Sequence, residues 1–571
     1  MVHDKAYKKR QFLDPAFIID TWESLEPYFN KLLNQKINSV GELEKWLLDR
    51  SELESAVQED AAWRYIRVSC NTTDTALSDR YNYFVNTIQP EVSRYSNLLD
   101  KKLIDSPFAD RLDHKKYFVM LRGIRNDLAL FRESNVPLQA EVSTKEQEYS
   151  RTVGSLTVFY NDEEMTLQKA GNLLKEINRD VRSDIFRLIN DKRLTVCDTL
   201  NELLSQLIGL RQQMALNAGY TNFRDFRFAE LGRFDYTAAD CEKFHHSIAE
   251  EVCPVRDMIF NHRKFKLAVD PLKPWDLQVD TDMKPPLKPF GSIDDLVDKT
   301  IRCFSEIKPF YGECIQVMKE GGYFDLASRV GKAPGGYNYP LYETNIPFVF
   351  MNATHSLSDV ETMMHEGGHA IHSFLTRDIR LIDHKNTPAE IAELASMTME
   401  LLAMEHWECF FSDPDELKRA RRSQLEGVIL TFPWVATVDK FQHWLYTHPQ
   451  HTNDERMEQW KQIASQFESP LVDWSGAEHW FAAGWQKQIH IFEIPFYYIE
   501  YAISQLGAIA IWRNYKTDRR QALRQYEDAL SLGYSVTIPE VYKAAGIPFD
   551  FSAAYVHELM VFVKQELEKL Q

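Results

Sequence analysis

The chain has 571 residues, 44% of them hydrophobic, and a formal net charge of −18. It can bury a large core and more than one subdomain. That acidity, with lysine and arginine dispersed and no basic patch, disfavours nucleic acid and anionic membrane as partners. Residues 1–14 carry charges and lack the apolar stretch of a signal peptide, and no 18-residue apolar run occurs elsewhere. Seven scattered cysteines, odd in number and never spaced C-x-x-C, suggest a reducing compartment. The expected address is the cytoplasm, with no membrane span; oligomeric state is open.

In chain order, apolar positions at helical period predict helices over Asp14–Asn34, Thr75–Asp100, Leu167–Ala218, Ala238–Lys264 and Ile293–Glu320, with a last one at Ala553–Leu570. No repeat period appears. Proline clusters at 271–274 and 285–289 bracket the longest loop-like section, either a lid or a plain connection. Residues 331–339 (GKAPGGYNY) then read as a turn-rich loop, and Ile346–Asn352 as a short β-strand. Such a strand, if unpaired on one side, offers backbone groups to an extended peptide, making Gly335, Gly336, Tyr337 and Phe348 candidate binding contacts. The competing reading is an ordinary surface hairpin.

His365-Glu366-Gly367-Gly368-His369 carries most chemical information. Imidazoles four apart on a helix lie on one face, about 6 Å apart along the axis, and can meet on one cation. Glu366 is placed to take a proton from a metal-bound water. Ser358, with Glu361 three residues on, predicts the helix start. Two glycines oppose a helix interior by roughly 1 kcal/mol each, tolerable where something passes close to the backbone. The bland alternative is a satisfied histidine pair on an amphipathic helix. His372 lies on the same helix and is expected to pack or to support a ligand, since three ligands from one straight helix approach from one side.

Thr387-Pro388-Ala389-Glu390 predicts the next helix start, with Thr387 as cap and Pro388 in the first helical position. Glu393 and Glu400 share a face of an otherwise apolar run, where an unpaired carboxylate would be costly. One can bind a metal while the other orients an imidazole; a solvated acidic stripe is the alternative. Further on, Pro495 fits a helix start, with Tyr498 and Tyr501 on one face. His490 and these tyrosines are candidate donors to an oxyanion, or simply core aromatics.

The run His365–His372 followed by Glu393-Leu394-Ala395-Ser396 and Glu400 resembles the thimet oligopeptidase and oligoendopeptidase F family of zinc peptidases. The loop at 331–337, the segment Pro347–Asn352, which is similar to the family's edge strand, and Leu210–Ala215 with Gly219-Tyr220 extend the likeness over about residues 205–510. The resemblance implies one Zn²⁺ per chain held by His365, His369 and Glu393, with Glu400 as a supporting acid, Glu366 as general base, and His490, Tyr498 and Tyr501 at the substrate. One insertion or deletion separates His490 from the family position, and Tyr497 replaces Tyr498 if the register slips by one. Gly367 and Met397 depart from the family, which often has a bulky apolar residue and glutamine there.

The implied fold is mostly α: two helical lobes enclosing a deep channel, a gluzincin-type zinc helix and a small β-sheet beside it. Residues 1–204 would form an N-terminal helical region and 205–571 the catalytic region. The implied activity is cleavage of internal bonds in short peptides. Two rivals are a helical zinc exopeptidase, for which no terminus anchor is evident, and a noncatalytic peptide-binding relative, which intact Glu366 opposes.

Overall fold

The computed structural model describes residues 10–570. Two compact units emerge, each gathered from three stretches of chain. One comprises residues up to Ala129, Leu287–Arg421 and Ser504–Phe549; the other comprises Leu130–Pro286, Arg422–Ile503 and the stretch from Asp550 onward. Both are predominantly helical. Among the described residues no helix is long and apolar enough to cross a membrane, and none of the seven cysteines forms a disulfide.

The predicted helices are present but divided, for local reasons. The first begins at Trp22, capped by Thr21, and runs to Asn34. The stretch predicted over Ile293–Glu320 is two helices, Ile293–Ile307 and Pro309–Gly321. Lys308 between them is extended (φ −160°, ψ 133°), as a residue preceding proline prefers. Single π-turns interrupt two others, at Phe84–Ile88 and Ile248–Val252. The Leu167–Ala218 stretch is broken into helices Leu167–Asn172, Arg179–Leu194 and Cys197–Asn217, the second capped by Asn178, whose side chain accepts the Asp180 N–H.

Strands are few. β1 (Thr157–Tyr160) and β2 (Glu163–Thr166) form an antiparallel hairpin in the second unit. In the first unit β3 (Phe324–Ala327), β4 (Tyr337–Tyr339) and β5 (Phe348–Ala353) form a sheet in the order β3-β5-β4. β5 is parallel to β3 and antiparallel to β4. This corrects the expectation of an edge at Ile346–Asn352: β5 is paired on both sides, and β4 is an edge strand. β3 went unread because Phe-Asp-Leu-Ala is too short and polar to signal a strand.

The sheet lies against the motif helix, Leu357–Thr376, whose Val360, Met363, Met364, Ala370 and Ile371 are fully buried. That helix starts two residues earlier than predicted, with Ser356 as cap and Asp359 completing the capping box. Asp359 Oδ2 also accepts the Thr354 N–H at 2.8 Å. The next helix, Ala389–Met404, has Pro388 itself at the cap position, one residue later than predicted.

Candidate metal centre and active site

The two helices touch through glycine. A Cβ on Gly368 would stand 2.6 Å from the Ser396 Cα and 3.0 Å from the Ala395 carbonyl oxygen. Only a residue without a side chain lets these backbones come so close. A Cβ on Gly367 would meet the Phe304 ring at 2.6 Å. Both glycines in the motif are thus explained by close neighbours, as their helical position required.

That approach brings the two imidazoles and the Glu393 carboxylate together, with one donor atom from each within 4.8 Å of the others. His365 Nε2 stands 3.4 Å from Glu393 Oε2, and His369 Nε2 stands 4.0 Å from the same oxygen. The imidazoles are nearly perpendicular, with ring centroids 4.9 Å apart. The Nδ1–H of His365 donates to Glu400 Oε1 at 2.7 Å, which fixes the tautomer and leaves Nε2 as the lone-pair donor. The Ser396 hydroxyl donates to Glu393 Oε2 at 3.1 Å. Two imidazoles and one carboxylate, with His365 and Glu393 already held by hydrogen bonds, are the donor chemistry that suits a divalent zinc ion.

Charge and burial pull against one another here. Burial disfavours the charged form of His365, but the hydrogen bond and charge of Glu400, with Glu393 and Glu366, overcome it and raise its pKa to about 9. His369 has only burial and cationic neighbours, and is pushed far below the usual histidine range. Burial likewise raises Glu393, opposed by His365 and Ser396. Glu366 is 7% exposed; burial raises its pKa to about 7, His365 opposing and the other two carboxylates adding to the rise. A carboxylate near neutrality is suited to moving a proton in either direction.

Gly336 was readable in the sequence and Asn338 was not. The Asn338 side-chain amide donates to the Glu366 carbonyl at 3.2 Å, tying β4 to the motif helix. A Cβ on Gly336 would come within 3.9 Å of Glu366 Oε1, so the glycine loop passes beside the carboxylate. Tyr337 stacks on Phe350, 4.8 Å and 3° apart. Phe348 is buried on β5, within a small cluster that includes Ala62, Ile66 and Leu341. A cavity of about 340 Å³ reaches His369; Asn338, Tyr342, Pro347, His372 and Lys385 are among its walls. His372 packs as expected: it is buried, and burial lowers its pKa to about 4. Ser396 had a legible signal, its i+3 spacing from Glu393; Asn338 had none.

The remaining candidates belong to the second unit. His490 lies 4.6 Å from Tyr498, 6.0 Å from Tyr501 and 6.2 Å from Tyr497, centroid to centroid. All three tyrosines therefore cluster on one imidazole. Tyr501 is equidistant from Tyr497 and Tyr498 at 5.5 Å, so spacing alone does not choose between them. Pro495 does not open a helix: the strained Phe496 (φ +68°) follows it, and the helix begins at Ile499. A relay missed in the sequence holds His490: the Trp434 indole N–H donates to Gln488 Oε1 at 2.9 Å, and Gln488 Nε2 lies 2.6 Å from His490 Nδ1.

A paired-helix donor set inside a predominantly helical protein defines the class, a helical protein built around a candidate metal centre of the metallopeptidase type. Residues 172–561 match peptidase family M3, and residues 12–131 match the peptidase M3 N-terminal domain. The chain belongs to peptidase family M3. It is 23% identical to oligopeptidase PepF of Bacillus subtilis over 433 residues, which is 71% of this chain and 61% of that protein. It is also 23% identical to the plasmid-encoded oligoendopeptidase F of Lactococcus lactis subsp. cremoris over 412 residues, 69% of this chain and 64% of that one. The matched region thus spans less than two thirds of either relative. The solved structure of PZ peptidase A with inhibitor 2 shares the fold, with a TM-score of 0.87 and 24% identity, covering 100% of this chain and 99% of that one.

Proposed function

We propose that this protein is a zinc-dependent endopeptidase that hydrolyses internal bonds of short peptides. The observation that carries the proposal is the convergence of His365, His369 and Glu393 donor atoms within 4.8 Å, next to a buried Glu366. These residues would hold the ion, with Glu400 holding His365 in register. When bound, zinc supplies Lewis acidity, making water a nucleophile near neutral pH and polarising the scissile carbonyl.

The chain's own residues do the rest. Glu366 accepts the proton of the attacking water and delivers it to the departing amine, so no covalent acyl-enzyme is needed. β4 offers backbone groups to an extended peptide, and main-chain bonding tolerates many sequences. Gly336 keeps the approach to Glu366 free of a side chain, Gly335 precedes it in the proposed substrate loop, and Tyr337 and Phe348 are the apolar support of that strand. His490, Tyr498 and Tyr501 enter by family resemblance as substrate contacts and hydroxyl donors to the oxyanion. The proposed setting is peptide turnover in the cytoplasm, with residues 205–571 as the catalytic region and 1–204 as a supporting helical region.

Glu366→Gln tests the proposal. The variant is expected to retain one zinc per chain while turnover of an internally quenched peptide blocked at both ends falls by about 10²-fold or more. Wild-type turnover in that variant would remove Glu366 from the chemistry. Failure of the wild type to cut blocked peptides would remove the endopeptidase assignment.

A further inference from the structure

The second unit contains a cavity of about 640 Å³ that none of the proposed chemistry uses. Its walls are aromatic: Phe186, Trp434, Trp460, Trp474, Trp480 and Phe481 all contribute. Small-molecule sites are commonly of this size, apolar with a few polar groups.

The charged lining is unbalanced. Arg193, Arg256 and Lys487 line the cavity against a single carboxylate, Glu468. Arg256 is accounted for, since it donates to Asp257 and to the Phe467 carbonyl. Arg193 and Lys487 are not: among the described residues, neither side chain has a hydrogen-bond or ion-pair partner. The Lys487 ammonium sits 4.5 Å from the Trp434 ring centroid, a cation–π contact that leaves its N–H donors unused. Lys487 is accessible; desolvation and then Arg193 lower its pKa to about 8, opposed by Glu468. Burial lowers the Arg193 pKa as well.

Two cations without hydrogen-bond partners thus line one aromatic-walled cavity, and an anion between them would form charge-assisted hydrogen bonds with both. An inorganic anion has no use for a wall of indoles. We infer that this cavity binds a small aromatic carboxylate, its carboxylate held by Arg193 and Lys487 and its ring packed among the tryptophans. The same chemistry comes from two sources, a free aromatic acid or the carboxyl end of a short peptide with an aromatic last residue.

Calorimetric titration of the full-length protein decides the matter, using 3-indolepropionate and its amide, and glycyl-tryptophan and its amide. At least one acid is expected to bind about tenfold or more tightly than its amide, the difference of one strong charge-assisted contact. Binding of indolepropionate alone identifies the free acid as the source, binding of the dipeptide alone identifies the peptide terminus, and either result supports the site. The acid-over-amide preference should vanish in Arg193→Gln/Lys487→Met and persist in Lys487→Arg, which keeps the charge. Equal binding of acids and amides to the wild type, no saturable binding of either acid, or a preference that survives in a folded double variant would overturn the inference. The wild-type comparison stands alone if the double variant fails to fold.

Discussion

At the scale of single residues, Glu400 bears on how much of the proposed metal centre lies outside its ligands. It contributes no donor to the cluster, yet it accepts the His365 N–H at 2.7 Å and so fixes which ring nitrogen faces Glu393. Partners of this kind typically alter metal affinity 10- to 100-fold. Glu400→Ala is therefore expected to weaken zinc binding by about tenfold or more in competition with a chelator, with His365 and His369 still in place. Unchanged affinity would reduce Glu400 to a packing residue. The residues whose placement is legible in the sequence are those whose spacing has a direct chemical meaning: the i, i+4 histidines, Glu366 between them, and Glu393 with Glu400 on one face. Asn338 and Gln488 were illegible because their partners, the Glu366 carbonyl and the His490 ring, are set by tertiary placement or by a tight local turn.

At the scale of elements, the glycine pair converts a local weakness into a close helix contact. Gly368→Ala would drive its methyl into the Ser396 backbone, which cannot turn aside, and overpacking of that kind costs about 1–3 kcal/mol. Melting of the variant should show that loss, accompanied by lower zinc occupancy because the helix carrying Glu393 is displaced. An Ala variant as stable and as metal-rich as wild type would mean the contact is slack. Gly367 differs, since its neighbour is the Phe304 side chain, which can move. Sequence pattern located both helices but not their starts. Ser356 and Ser358 each precede an acid by three residues, and the hydrogen bonds from Thr354 and Ser356 to Asp359 favour the earlier cap. The central position of β5 was hidden for a similar reason, because its partner β3 is four residues long and has no pattern of its own.

At the scale of the whole molecule, the metal centre should leave a signature in stability against pH. In metal-free protein His365 has its pKa raised to about 9. A base raised above its unfolded value of about 6.5 stabilises the fold below that value and ceases to do so as pH rises through 9. Glu366, raised to about 7, acts with the same sign at lower pH, stability falling as pH rises from about 4.5 through 7. Below about 6.5 the depressed His369 and His372 oppose this, gaining stability as pH rises. Above pH 7 these two no longer oppose it, while Lys487, depressed to about 8, gains stability from about pH 8 upward with or without the ion. Relative to zinc-loaded protein, chelator-treated protein is expected to lose up to about 3 kcal/mol of stability from about pH 7 to pH 9. The zinc-loaded form is spared that loss, because the ion replaces the proton on His365. Parallel melting curves for the two forms would show that His365 holds no such proton.

Most direct for the central claim is X-ray diffraction from zinc-loaded crystals at energies either side of the zinc absorption edge. A single anomalous peak within bonding distance of His365 Nε2, His369 Nε2 and a Glu393 carboxylate oxygen is the predicted result. A peak bound elsewhere, or none between these three side chains in crystals shown to contain zinc, would contradict it.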